Sequence, residues 1–385
     1  MARKKPVTPG RSSRRPRLVV VVSSDRRRGA EVFGEALATG LGERGWEVRL
    51  VALSGSDVPP RVDAELVGAV APEALGKLDR GVVTGLRRRL ATWRPDIVLA
   101  YGGPSVQYST VAVRTMRRRP RLVVASIGDP MFWIRSRRHA RLRALVLAGA
   151  DRVFSVAAAT ATPLVDSLGV DPAKVRIAPT GVPDRFFSVA REPRGEELRI
   201  VVVGALSAEK DPVAAVGVVA RVAASGPVEL RLVGDGPLAA EVAAAVDTAG
   251  IGDRVTLLGS VADVVPHLAW ADVLLQTSRS EGLPGVVLEA AAAGVPSVVY
   301  GVGGCAEAVV DGETGAVVAP GDADGAVDAL VAAGGDRSRL AEMGERATKH
   351  AFDSFRLDVA VDRYHELLTD ELDAAAIGGR DEVGG

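Results

Sequence analysis

The stretch TSRSEGLPGVVLEAAAAGVPSVVY, residues 277–300, follows the apolar run DVLLQT and ends in another, PSVVY. Strand, loop, helix and strand in succession form the repeating unit of a parallel sheet. Pro284 has the fixed φ that suits a first helical turn, and Gly294 has the freedom that suits a stop. The helix between them aims its N-terminus at the loop SEGLPG, where free amides on Gly282, Leu283 and Gly285 can bind hydroxyls or anionic oxygens.

Working outward, VVVGALSAEKD (residues 201–211) reads as a buried strand, a turn at Gly204 and a helix beginning near Asp211 and Pro212. Lys210 stands beside that strand end, within reach of a phosphate, and is one of only six lysines among 48 cations. LRIVVV, VELRLVG, RVTLLG, DVLLQT, PSVVY and AVVA read as six strands, most followed by Ala-rich helices. An earlier alternation begins with LVVVV (Leu18–Val22), a helix carrying Phe33, Leu37 and Leu41 on one face, and the strand WEVRLVAL. It continues through DIVLA, RLVVA and RVFSV. Pro179–Glu197, with three prolines, two glycines and many charges, has the composition of a linker.

Two alternating halves joined by a linker predict an α/β protein of two Rossmann-like domains facing across a cleft, with ligands beyond the C-terminal strand ends. The expected division is a basic disordered tail (1–17), a first domain (18–190), a second domain (191–355) and a C-terminal helix with a frayed tail (356–385). That helix either extends the second domain or crosses back to the first.

Composition narrows the function. Aromatics make up 4% of the chain, so small aliphatic side chains must build the core, as parallel sheets with covered faces allow. The sole cysteine, Cys305, excludes an internal disulfide and a thiolate metal cluster and fits a reducing, cytoplasmic setting. The four histidines show no metal-ligand spacing, so no metal and no resident cofactor are expected. The 48 Lys+Arg balance 48 Asp+Glu, yet residues 1–190 hold 33 of the cations and 16 of the anions. The first half is therefore the one that meets something anionic. DPMFWIRSRRHARLRALVLAGA, from Asp129, sets five arginines before an apolar helical run, as in segments that lie on anionic membranes. No aromatic-interleaved platform accompanies the charge, so nucleic acid is not an expected partner.

Glu281 and Glu289 stand eight residues apart, at most about 12 Å if helical. That is the span of a nucleoside diphosphate sugar from ribose to hexose. The plainer alternative makes Glu281 a loop charge and Glu289 a surface residue.

The segments around Lys210 and Glu281–Glu289, with VELRLVGDGP between them and VGGCAEAVVDGETGAVVAPGD after them, resemble the C-terminal domain of family 4 glycosyltransferases. RRGAEVFGEALATGLGERGWEV and GADRVFSVAAATATPLVDSLGVDPAKVRIAPTGVPDRFF resemble the N-terminal domain more loosely. The resemblance implies the GT-B fold, an acceptor-binding first domain and a nucleotide-sugar-binding second domain. It implies retaining transfer, without a metal, from a UDP- or GDP-linked donor to an unknown acceptor such as a lipid or cell-envelope glycan.

By the same resemblance Glu289 holds the ribose hydroxyls, while Glu281 and the backbone of Gly282, Leu283, Pro284 and Gly285 hold the donor sugar. Lys210 neutralises the diphosphate, and Gly29 lets the first domain's loop approach it. Two positions depart from the family pattern. Ala205, after Gly204, stands where an Arg is common, so Arg279 or an arginine of the first domain must serve instead. SIGDPMFW stands where many members carry a cleft His, leaving Asp129 for the polar role. A non-catalytic nucleotide-sugar-binding subunit and a GT-B epimerase or phosphorylase are the competing readings.

Overall fold

The computed structural model describes residues 14–26, 28–55, 61–68, 78–132, 134–193 and 195–381, with side chains up to 374. The first sheet has seven parallel strands: β1 (Arg17–Ser24), β2 (Glu47–Ser54), β3 (Glu65–Gly68), β4 (Ile97–Tyr101), β5 (Arg121–Ser126), β6 (Arg152–Ser155) and β7 (Val175–Ile177). Their order is β3-β2-β1-β4-β5-β6-β7. The second sheet comprises β8 (Leu198–Val203), β9 (Val228–Val233), β10 (Val255–Gly259), β11 (Val273–Gln276), β12 (Ser297–Tyr300) and β13 (Gly315–Val318), in the order β10-β9-β8-β11-β12-β13. In each the order reverses beside the first strand, and that switch opens a crevice at the C-terminal strand ends. The expectation of two doubly wound domains holds.

The central strands are the ones that read as continuous apolar runs. Leu18 to Val22 and Ile97 to Tyr101 are buried throughout, because helices cover both faces of the sheet. Phe33, Leu37 and Leu41 point from the helix Gly29–Glu43 into the same core. β3 and β7 lie outside the expected strand set: both are short sheet edges with no fully buried residue, so neither carries an apolar run. Arg17, assigned to the basic tail, opens β1, where its backbone N–H donates to Asp96 Oδ2 at 2.8 Å. Residues 1–13 of that tail lie outside the described residues.

The last helix, Leu357–Asp381, packs against the first sheet. Tyr364 enters an aromatic group with Phe33 and Phe154, at centroid separations of 5.8 and 5.7 Å. Gly40 lets the two helices meet, since a Cβ there would lie 2.9 Å from Val361 Cγ1. The chain thus crosses between the sheets twice, and the crossings run side by side. Val182 N–H donates to Phe355 O at 2.7 Å, and Leu357 N–H to Val182 O at 2.9 Å.

Glu371, buried, fastens this helix to the first sheet. Its Oε2 accepts from Arg121 Nε at 3.1 Å, and its Oε1 from Arg152 Nε at 2.5 Å. Removing one partner of a buried ion group strands the others. Glu371→Ala is therefore expected to cost about 3 kcal/mol, read from urea unfolding at neutral pH. Glu371→Gln should cost less, because it keeps one acceptor.

Candidate active site

The cleft-facing rim of the second sheet is made of loops that follow β8, β9, β11 and β12, and glycines allow those loops to interlock. A Cβ on Gly234, which has a φ of +143°, would lie 1.8 Å from Gly204 O, and one on Gly236 would lie 2.5 Å from Leu206 O. The turn after β8 is therefore pressed against the loop after β9. It is also stapled to the loop after β11: Arg279 N–H donates to Glu209 O at 2.8 Å, and Thr277 Oγ1 to Asp211 O at 2.9 Å. Asp211, at φ +47°, starts the helix Pro212–Ala223 as its N-cap.

This stapling brings Lys210 and Glu281 together across 71 residues of sequence. Lys210 Nζ donates to Glu281 Oε1 at 2.6 Å and to Oε2 at 2.7 Å. Glu281 is buried, and Gln276 at the end of β11 also donates to its Oε1. An ammonium has three N–H donors, so two on Glu281 leave one for another acceptor. Cys305 lies within the same field: burial, then the Glu281 charge, pushes its thiol up to about 12, so it stays protonated and inert.

The loop Glu281–Gly282 is clasped on both sides. A Cβ on Gly303, at φ +52°, would lie 2.0 Å from Glu281 O, and Gly304 N–H donates to Gly282 O at 2.6 Å. On the other side a Cβ on Gly282 would lie 1.9 Å from Ile127 O, at the end of β5 in the first domain. Gly285, by contrast, faces open space at the start of the helix Gly285–Ala292. Leu283 and Pro284 are buried between these two glycines, and Pro284 is the N-cap residue.

Glu289 lies one turn into that helix, away from the Lys210 pair. Burial, only partly offset by Arg185, pushes its carboxyl up to about 7; Asp263 adds a smaller push in the same direction. Asp129 stands in the first domain's wall, where its Oδ1 accepts from Met131 N–H at 2.8 Å and its Oδ2 from Ser280 Oγ at 3.3 Å. Arg279 is exposed and engaged with Asp211, Nε to Oδ2 at 2.6 Å. Ala205 is exposed beside the turn, and Gly29 begins its helix with open space where a Cβ would be. Of the residues singled out from sequence, Lys210 and Glu281 meet directly, Gly282 follows Glu281 against Ile127, Asp129 joins them through Ser280, and Gly29 makes no such contact.

Several neighbours escaped the sequence reading. Glu209 is half-buried, and burial raises its carboxyl; Lys210 opposes that shift, while Glu281 and Asp129 add to it. Arg143, from the helix Arg137–Ala148, is half-buried, and burial lowers it against a smaller opposing effect of Asp129. Glu307 reaches across to the first domain, where Oε2 accepts from Ala158 N–H at 3.0 Å and Oε1 from Ala159 N–H at 2.8 Å. It thereby caps the helix Ala158–Asp166 from the other side of the cleft. The one available signal was Gln276, a polar residue ending an otherwise apolar strand. Among the described residues no group of His, Cys, Asp and Glu has metal-holding geometry.

Two family models match the chain, in the order of its two sheets: Glycosyltransferase Family 4 over residues 27–186 and Glycosyl transferases group 1 over residues 197–336. The chain belongs to glycosyltransferase family 4. N-acetyl-alpha-D-glucosaminyl L-malate synthase of Bacillus anthracis is 36% identical over 144 residues, which is 37% of this chain and 38% of that protein. The chain thus aligns with well under half the length of that relative. D-inositol 3-phosphate glycosyltransferase of an Arthrobacter species is 27% identical, covering 91% of this chain and 92% of the relative. The crystal structure of Anabaena HepE with UDP and glucose superposes at a TM-score of 0.77 and 18% identity, covering 91% of this chain and 99% of that one. This last likeness identifies the fold as GT-B.

In this family 4 glycosyltransferase the glycine contacts predict a contrast. Gly282→Ala is expected to push the first domain away from the loop after β11, lengthening distances between spin labels placed on the two domains. Gly285→Ala has room for its methyl and should leave those distances unchanged.

Proposed function

We propose that the protein transfers a sugar, with retention of anomeric configuration, from a UDP- or GDP-linked donor to an acceptor bound on the first domain. The observation that carries this reading is the Lys210–Glu281 pair beside the N-terminus of the helix Gly285–Ala292. A departing diphosphate needs preorganised positive charge, and Lys210 offers its remaining N–H while a helix N-terminus adds partial positive charge. Glu281 does two things: it fixes the ammonium, and its Oε2 accepts from donor-sugar hydroxyls, with the backbone of Gly282 to Gly285 alongside. Glu289 accepts from the ribose hydroxyls. Asp129 faces the acceptor, and Gly204 keeps the floor beneath the diphosphate free of a side chain. With cationic side chains at the leaving group, the transfer proceeds without a metal or resident cofactor. A lipid or cell-envelope glycan is the acceptor class that fits the basic first half.

The test is transfer or donor hydrolysis with EDTA present, over a panel of nucleotide sugars. Activity should persist for the native chain and fall by about 100-fold or more in Lys210→Ala. A Lys210→Ala protein that keeps full activity would overturn the assignment. pH gives a second readout on the same assay. Because the free protein's Glu289 ionises near 7, donor affinity should weaken as pH falls from 8 to 6, when its carboxylate is lost. Glu289→Gln should bind more weakly at pH 8 and show no such slope.

A second proposal concerns where the protein sits. The helix Arg137–Ala148 exposes Leu145 (71%) and Leu142 (42%) beside the exposed Arg137, Arg138 and Arg141. Apolar side chains ringed by arginines suit an anionic lipid surface, and we place the protein on the cytoplasmic, inner face of the cell membrane. Trp133, part of the same expectation, lies outside the described residues. Sedimentation with anionic but not neutral vesicles is expected, and Leu142→Gln with Leu145→Gln should reduce it. Equal recovery of native and variant protein in the supernatant would discard this placement.

A further inference from the structure

A cavity of about 760 Å³ lies far from the donor loops, at the N-terminal strand ends of the first sheet. Its walls are the last turns of the helix Arg80–Trp93 and the turn between the helix Gly103–Arg114 and β5. Arg87, Arg88 and Arg94 line one wall, and Arg117, Arg118 and Arg119 the other. Between them stand Leu90, Pro95, Met116 and Pro120, whose side chains offer no polar group.

Among the described residues, carboxylates answer the charge of this cavity only in part. Its one carboxylate, Asp96, is already occupied, accepting from Arg14 Nη2 at 2.6 Å and from Arg17 N–H at 2.8 Å. Arg119 lies 3.9 Å from Asp151, whereas no carboxylate of the described residues lies within ion-pair distance of Arg87, Arg88, Arg94, Arg117 or Arg118. Two helix C-termini point at this end and together bring only about one unit of negative charge. Five exposed arginines therefore line an apolar floor with no carboxylate partner among the described residues. Arg94 is held there by its backbone: it sits at φ +53°, capping its helix through N–H to Leu90 O, a conformation uncommon for a side chain of that size.

We propose that this cavity is a second, non-catalytic binding site for a ligand bearing two or more phosphoryl groups or a phosphorylated headgroup. Guanidinium groups recognise phosphate oxygens in bidentate fashion, and arginines on both walls suit a ligand that phosphoryl oxygens bridge from side to side. The volume is in the range of small-molecule sites. Because it opens at the opposite end of the sheet from the Lys210–Glu281 pair, occupancy leaves donor binding unobstructed.

Inorganic tripolyphosphate is the soluble probe, followed by calorimetry on the full chain. Binding is expected to survive Lys210→Ala, which separates this site from the donor phosphates, and to weaken roughly tenfold or more in the triple variant R88Q/R117Q/R118Q. Phosphatidylcholine vesicles with and without phosphatidic acid are the lipid probe. Loss of only vesicle binding in the triple variant assigns the site to a lipid headgroup, and loss of only tripolyphosphate binding assigns it to a soluble phosphate. Native and triple-variant proteins that behave alike toward both probes would overturn the proposal and leave the arginines a solvated face. Should the variant fail to fold, phenylglyoxal labelling of the native chain decides. Tripolyphosphate should shield Arg88, Arg117 and Arg118, and labelling of all three at an undiminished rate overturns the site.

Discussion

A buried carboxylate with a lysine across it is the constraint around which the second domain's rim is arranged. Glu281 sits at the foot of a helix with little access to water, and such a group is tolerated only when cations and N–H donors surround it. Lys210 and Gln276 supply them from two different strand ends. For Lys210 to reach, the turn after β8 must fold over the loop after β11, which is why carbonyls of that turn accept from the Thr277 hydroxyl and the Arg279 N–H. For Glu281 to stay buried, its own carbonyl must lie against Gly303. The glycines on this rim are thus consequences of one ion pair's position.

The same loop joins the domains. Gly282 against Ile127, Ser280 on Asp129 and Glu307 at the helix Ala158–Asp166 are three small contacts spread along one interface. An apolar group joins them as well: Val156 and Ala157 of the first domain share one buried cluster with Leu283, Cys305 and Ala308 of the second. The two chain crossings, bonded to each other through Val182, Phe355 and Leu357, tie the domains together again. Asp129 thereby stands beside the loop of the Lys210–Glu281 pair, joined to it through Ser280.

Both sheets were legible in the sequence because their central strands are buried on two faces and therefore apolar without interruption. β3 and β7 were not, since an edge strand of three or four half-exposed residues carries no such run. Within the site, Glu281, Glu289 and Lys210 stood out by residue type and by their place after a strand. Their partners did not, because pairing depends on loops brought together over distances such as the 151 residues between Asp129 and Ser280. Arg279 is instructive. Sequence offered it as a substitute for the arginine missing at Ala205, whereas its Nε is turned onto Asp211, a neighbour that only the folded turn supplies. Arg143 is a first-domain arginine in the neighbourhood of Asp129, and its segment's pattern marks it only as one of five arginines.

The last helix also constrains how the molecule is made. Tyr364, Val361 and Leu368 belong to the core of the first sheet, yet they lie at the far end of the chain. During synthesis an N-terminal domain ordinarily completes itself before the next one emerges. Here the first domain leaves the ribosome lacking part of its core, with the face between Phe33 and Phe154 uncovered until the whole second domain has been translated. The two domains therefore mature together, and a message cut short before the final helix yields neither a finished first domain nor a working cleft.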